Sequence, residues 1–168
     1  QNKVRNDLKA ARSVYNRDIA RMGKFLKIYA PGENKERVCQ IADFDYLEAV
    51  ALPEIPDCSS EIVQTAFSKG EGTGGTRLMG AEELLAKTGQ ARQIEILPTE
   101  HARPAGKKVL RKVMTKEYAL PVRSETGKIE KIVYAGRIIN RNFELVDRIR
   151  DLVYGEKMYD SKPQGTVT

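Results

Sequence analysis

The opening stretch of this chain constrains its fold more than any other feature. Residues 1–29 contain no proline, and stepping alternately by four and three positions meets Val4, Leu8, Ala11, Tyr15, Asp18, Met22, Phe25 and Tyr29. All but Asp18 are apolar or aromatic, which is the seam of an amphipathic helix with heptad spacing. Ile19, beside Asp18, widens the stripe, and the other faces carry Lys3, Arg5, Asn6, Lys9, Arg12, Asn16, Arg17 and Arg21. Pro31-Gly32 stops the helix. Such a helix either packs only on its own domain or also pairs with a second copy. The second reading makes Val4, Leu8, Ala11, Tyr15, Met22 and Phe25 the face of a homodimer that carries a signal. The chain then divides into a helix over 1–30 and a domain over 31–168.

The rest reads as shorter elements. A helix is predicted over 35–42, a strand over 46–52, and a short helix that buries Ile62, Val63, Ala66 and Phe67, with Asp57 or Ser59 as its cap and Gly70 as its end. Gly70-Glu-Gly-Thr-Gly-Gly75 reads as a flexible loop, 81–87 as a helix closed by Gly89, and 91–106 as an extended surface excursion with Pro98 and Pro104. Lys112 to Arg123 and Lys128 to Asn140 read as two long strands joined at Ser124-Glu-Thr-Gly127. Asn140 or Asn142 then caps a helix with Phe143, Val146, Ile149 and Leu152 or Val153 on one face, and Gly165 to Thr168 looks like the start of a strand. A long helix, a mixed middle and a hairpin of long strands make an α+β domain with a central antiparallel sheet.

Composition narrows the function classes. The chain has 168 residues, is 40% hydrophobic and 31% charged, and carries a net charge of +6. That is ordinary globular composition, enough for one core. Acids and bases are interleaved, as in Glu33-Asn-Lys-Glu-Arg37, so the positive balance reads as a solvated surface. The best basic cluster for nucleic acid, Lys107 to Lys112, leads straight into a strand. No run of about 18 apolar residues marks a membrane span. The chain begins at Gln1, and we read it as an excised soluble fragment with targeting and membrane segments outside it. Cys39 and Cys58 either form one bridge or are two buried thiols. His101, the only histidine, sits in a proline-flanked loop with no motif around it. Histidine-based catalysis and histidine-rich metal sites are thereby disfavoured, and we expect neither cofactor nor metal. Gly70 to Gly75 followed by Thr-Arg lacks the lysine of a phosphate loop.

Several segments carry a family likeness: Tyr118-Ala-Leu-Pro-Val-Arg123, Tyr134-Ala-Gly-Arg-Ile-Ile-Asn140-Arg-Asn-Phe, Val146-Asp-Arg-Ile-Arg-Asp151 and Tyr159-Asp-Ser-Lys-Pro163-Gln-Gly-Thr166. Together they resemble the Cache class of bacterial sensor domains, specifically the double-Cache type. Lys3 to Arg12 resembles the helix after that family's first membrane span, and Gly80 to Leu84 and Ala102 to Pro104 fit its middle. The resemblance is strongest over 118–168. The chain departs from the pattern where Val50 runs into Ala51-Leu-Pro53, in place of a strand, a tight turn and a second strand. It also stops at Thr168, before a second sensing module, and holds no tryptophan for the amino-acid signature of some members.

The resemblance implies a PAS-like sensor outside the cytoplasmic membrane, without catalytic activity of its own. Its parent would be a membrane-anchored sensor histidine kinase, or alternatively a chemotaxis transducer or diguanylate cyclase. It places a pocket for a small polar or anionic molecule on the strands 113–123 and 129–140, closed by 59–90. Tyr118, Tyr134 and Arg137 offer two phenols and a guanidinium there. Tyr134 and Arg137 differ by three, so they share a face only if the strand bulges near Gly136. The rival classes are a basic nucleic-acid-binding module and a ligand-free dimerisation domain.

Overall fold

The computed structural model describes residues 2–29, 34–89, 112–140, 143–154, 158–159 and 162–163. In chain order the elements are α1 (Asn2–Tyr29), α2 (Lys35–Ala42), β1 (Tyr46–Ala51), α3 (Glu61–Lys69), β2 (Thr73–Gly80), α4 (Ala81–Thr88), β3 (Lys112–Arg123), β4 (Ile129–Ile138), α5 (Phe143–Tyr154), β5 (Met158–Tyr159) and β6 (Lys162–Pro163). The fold is α+β, a long N-terminal helix followed by a central antiparallel sheet, as expected. The expected excursion over 91–106, His101 and the strand start at 165–168 lie outside the described residues.

The chain falls into two units. One comprises residues 1–21 with 141–168, the other residues 22–140, so the division lies within α1. In the first unit Val4 and Leu8 are 64% and 66% exposed, whereas Asp18 is buried. Asp18 interrupts the apolar seam because it faces Arg148 of α5, its Oδ1 lying 4.0 Å from Nη2. Arg148 also pairs with Glu144 one turn back at 3.3 Å. The buried face of α5 differs from expectation: Leu145 is buried, while Phe143 and Leu152 are exposed. Asn142, one of the two expected caps of α5, lies outside the described residues; the side chain of the other, Asn140, accepts from the Met114 amide at 2.5 Å and so ties the strand ends together.

In the second unit the sheet order is β1-β4-β3-β2, all neighbours antiparallel. The single strand expected over 46–52 is β1, ending at Ala51. Pro53 and Pro56 follow β1 at once, and a residue without an amide hydrogen cannot extend a ladder. A 3-10 turn over Leu52–Glu54 instead turns the chain to bury Ile55. Ser60, not Asp57 or Ser59, caps α3, its hydroxyl accepting from the Val63 amide at 3.4 Å. Phe67 lies on the outer side of α3 and is exposed. The glycine-rich segment is not a free loop: from Thr73 onward it is β2, paired with β3. Cys39 and Cys58 are both free, half-buried thiols.

The core lies between α3, α4 and one face of this sheet. Val63, Ala66 and Leu84 pack there with Ile55, Met79, Val113, Ala119, Ile132, Tyr46 and Tyr134. Each large side chain so buried contributes roughly 1.5–3 kcal/mol of hydrophobic stabilisation. On the opposite face Tyr118 lies against α1, where a Cβ at Gly23 would collide with its ring. Met22 of the predicted seam is buried and Phe25 half-buried, while Gly23 and Leu26, which are not on that seam, are buried as well.

Candidate functional site

The sheet register lines up a row of four residues: Tyr46 on β1, Gly136 on β4, Glu117 on β3 and Gly75 on β2. Period-two alternation puts all four side-chain positions on the face that α3 and α4 cover. Gly136 has no side chain, so the Tyr46 ring lies across the central strand; a Cβ there would collide with it. The phenol thereby reaches β3 and donates to Glu117 Oε1 at 2.5 Å. Gly136 is thus a seat for an aromatic ring, and β4 runs through it without a bulge.

Glu117 is fully buried. An isolated buried carboxylate is strongly disfavoured, so its partners matter. Ser60 donates to Oε2 at 2.5 Å while the same hydroxyl caps α3. Arg77 of β2 donates to Oε1 at 3.3 Å and, with its other terminal nitrogen, grips both oxygens of Glu83 on α4 at 2.8 and 2.7 Å. Ser59 adds a hydrogen bond to Glu83 at 2.7 Å. Burial alone would lower the Arg77 pKa, but Glu117 and Glu83 outweigh it and raise it. Burial, and next the charge of Glu117, pushes the Tyr46 phenol far above the ordinary tyrosine value.

The next row holds a second group. Glu48 on β1 is opposite Tyr134 on β4, and the Tyr134 hydroxyl donates to Glu48 Oε2. Lys87, on the last turn of α4, donates to Glu48 at 2.6 Å and to the Tyr134 oxygen at 2.5 Å. Its ammonium is 4.7 Å from the Tyr134 ring centre and 5.5 Å from that of Tyr46. The two rings meet edge to face, with centres 6.4 Å apart. Burial would raise the Glu48 pKa, but the bonds from Lys87 and Tyr134 and the lysine charge lower it on balance. Burial and the bond to Glu48 push the Tyr134 phenol far up.

Of the three residues expected to bind ligand, only Tyr134 belongs to this cluster. Continuing the Arg123–Ile129 pairing unchanged would set Tyr118 opposite Tyr134. A one-residue shift between Val122 and Arg123 sets Tyr118 opposite Ala135 instead. A one-residue slip exchanges the faces of a strand relative to its partner. Tyr118 therefore points to the α1 side, between Gly23 and Gly72. Arg137 also faces away from the cluster, and its guanidinium pairs with Asp43. Tyr46, Glu48, Ser60, Arg77, Glu83, Lys87 and Glu117 were not among the residues expected from sequence. The usable signals were the alternation Thr115, Glu117, Ala119 and the glycines at 75 and 136.

Among the described residues no group of three or more acidic, histidine or cysteine side chains is placed to hold a metal ion. No described helix is long and apolar enough to cross a membrane. The basic run 107–112 lies outside the described residues except for Lys112, which is exposed. Comparison with protein families, curated proteins and solved structures found no match.

Proposed function

We propose that this chain is the extracytoplasmic sensing domain of a membrane-anchored bacterial receptor, and that it binds a small molecule beneath α3 and α4. The parent protein would be a sensor histidine kinase, with a chemotaxis transducer or a diguanylate cyclase as the alternative output. The observation that carries the reading is the buried charged cluster around Glu117. A sheet face serving only as core is filled more stably by apolar side chains than by ion pairs. Here the face covered by α3 and α4 holds three carboxylates, one guanidinium and one ammonium, reached by two tyrosines and two serines.

The second support is the mounting of α4. Leu84 is its one buried residue, and its other anchors are the ion pairs Glu83–Arg77 and Lys87–Glu48 and the Ser59–Glu83 hydrogen bond. A short helix held this way responds to any ligand that competes for those charges. The resemblance to Cache sensors over 118–168 supplies the third support, and exposed Val4 and Leu8 supply a surface for the homodimer such receptors use. The test is a thermal-shift screen of organic acids, amines, sugars and nucleotides against the wild-type chain. A binder at tenfold to a hundredfold its Kd raises stability by about 1.4–2.7 kcal/mol. We expect a hit whose effect disappears in Glu48→Gln or in Arg77→Met. A broad screen without stabilisation, or hits indifferent to both changes, contradicts the assignment.

A further inference from the structure

The chemistry of the cluster points to its ligand, an inference that rests on the sensing role proposed above. Glu48, Glu83 and Glu117 face Arg77 and Lys87 within it, so acids outnumber bases by one. Arg137, the cation expected to attract an anion, is on the other face with Asp43. What the cluster contains is a cation receptor: the Glu48 carboxylate, the Tyr134 hydroxyl and the rings of Tyr134 and Tyr46 converge on one point. Carboxylate plus aromatic rings is the chemistry that selects an ammonium group. Lys87 Nζ fills that point, and its side chain is only 9% exposed although it leaves from the last turn of a surface helix.

We propose that Lys87 is a built-in occupant of an ammonium site, and that the ligand is a small primary amine that displaces it. Displacement removes one of the two ion pairs that hold α4, leaving Leu84, the Glu83–Arg77 pair and the Ser59–Glu83 hydrogen bond. Amine binding is thereby coupled to movement of α4. Competition with a tethered lysine also lowers the apparent affinity for the free amine, as any competing internal state does.

Chemical rescue tests this directly. Lys87→Ala removes the side chain beyond Cβ, and n-propylammonium replaces those atoms. We expect n-propylammonium to raise the melting temperature of Lys87→Ala, whereas n-propanol and propionate at equal concentration do not. It should bind Lys87→Ala about tenfold more tightly than the wild type, which must first release its own lysine. Adding Glu48→Gln to Lys87→Ala should abolish the rescue. A second readout uses the wild-type chain, labelled with nitrogen-15 at lysine side chains: the Lys87 ammonium signal should shift as n-propylammonium is titrated. A folded Lys87→Ala chain that responds equally to propanol and propylammonium overturns the proposal. If that variant does not fold, a Lys87 signal unmoved by saturating amine overturns it. Stabilisation of the wild type by anions or sugars alone, through Arg77 and Glu83, overturns the amine assignment and leaves the sensing role standing.

Discussion

Glu117 and Tyr118 are consecutive on β3, point to opposite faces of the sheet, and are each flanked by two glycines. Gly136 and Gly75 lie beside Glu117 in the sheet register, and the space over Gly136 lets the Tyr46 phenol reach the carboxylate. Gly23 and Gly72 lie beside Tyr118, and the space there holds the tyrosine ring itself. The same device serves two ends. On the α1 side glycine lets an aromatic ring pack closely. On the α3/α4 side Gly136 lets the Tyr46 phenol cross β4 to a buried carboxylate, in a place where apolar packing would be more stable. The second arrangement stabilises the fold poorly for its complexity, which is the physical reason to assign it a binding role.

The largest expected effect separates the two faces. Glu117→Ala leaves Arg77, Tyr46 and Ser60 facing a void, and removing one partner of a buried ion pair costs about 3–5 kcal/mol. Urea denaturation should show that loss, and a change below about 1 kcal/mol would mean that the cluster is open to water. The α1 face should fail by overpacking instead. Gly23→Ala forces a methyl into the Tyr118 ring, a cost of about 1–3 kcal/mol. In a Tyr118→Ala background the same change should become favourable by up to about 1 kcal/mol, because alanine is the better helix former. Additive effects in this double-mutant cycle would break the proposed contact.

The electrostatic difference should appear in the pH dependence. The Glu48 carboxyl titrates below its ordinary value in the folded chain. Its contribution is therefore present above the ordinary carboxyl range and is lost as the pH falls through the folded value. Glu48→Gln should flatten the acid limb of the stability profile, and an unchanged limb would count against the Lys87–Glu48 pair. Tyr46 and Tyr134 behave in the opposite sense. Their raised values mean that stability falls as the pH rises above about 10, where unfolded tyrosines ionise. Ultraviolet titration should find the Tyr46 and Tyr134 phenols silent until the chain unfolds. The smallest effect on stability belongs to the N-terminal end of α1. Val4→Lys with Leu8→Lys should leave the melting temperature nearly unchanged, since both residues are exposed. Sedimentation should nevertheless show the proposed dimer converting to monomer, and an unaltered profile removes this surface from the proposed homodimer.

Periodicity made the fold legible because its strongest signals are local. The heptad stripe of α1, the span of α2 and the two strands of the β3–β4 hairpin follow from residue spacing, and each appears with nearly the expected bounds. The cluster was illegible because it depends on register. Tyr46 and Glu117 are 71 residues apart, and only the strand order places one Gly136 between them. An unshifted hairpin would set Tyr118 and Tyr134 on one face, as a shared pocket requires. One irregularity, between Val122 and Arg123, sends them to opposite faces. The glycines misled for a similar reason. Gly75 suggested a loop and Gly136 a bulge, whereas Gly75 lies within β2 and at Gly136 the Tyr46 ring fills the missing side chain's space.

The central claim is that binding occurs on the α3/α4 face of the sheet. A nitrogen-15 correlation spectrum of the wild-type chain, recorded with each compound from the thermal-shift screen, tests it most directly. The account predicts that a true ligand shifts the amide signals of Glu48, Ser60, Arg77, Glu83, Lys87 and Glu117, while those of Gly23, Tyr118 and Arg137 stay in place. Shifts concentrated at Tyr118 and Arg137, with the α3/α4 face unmoved, would contradict it.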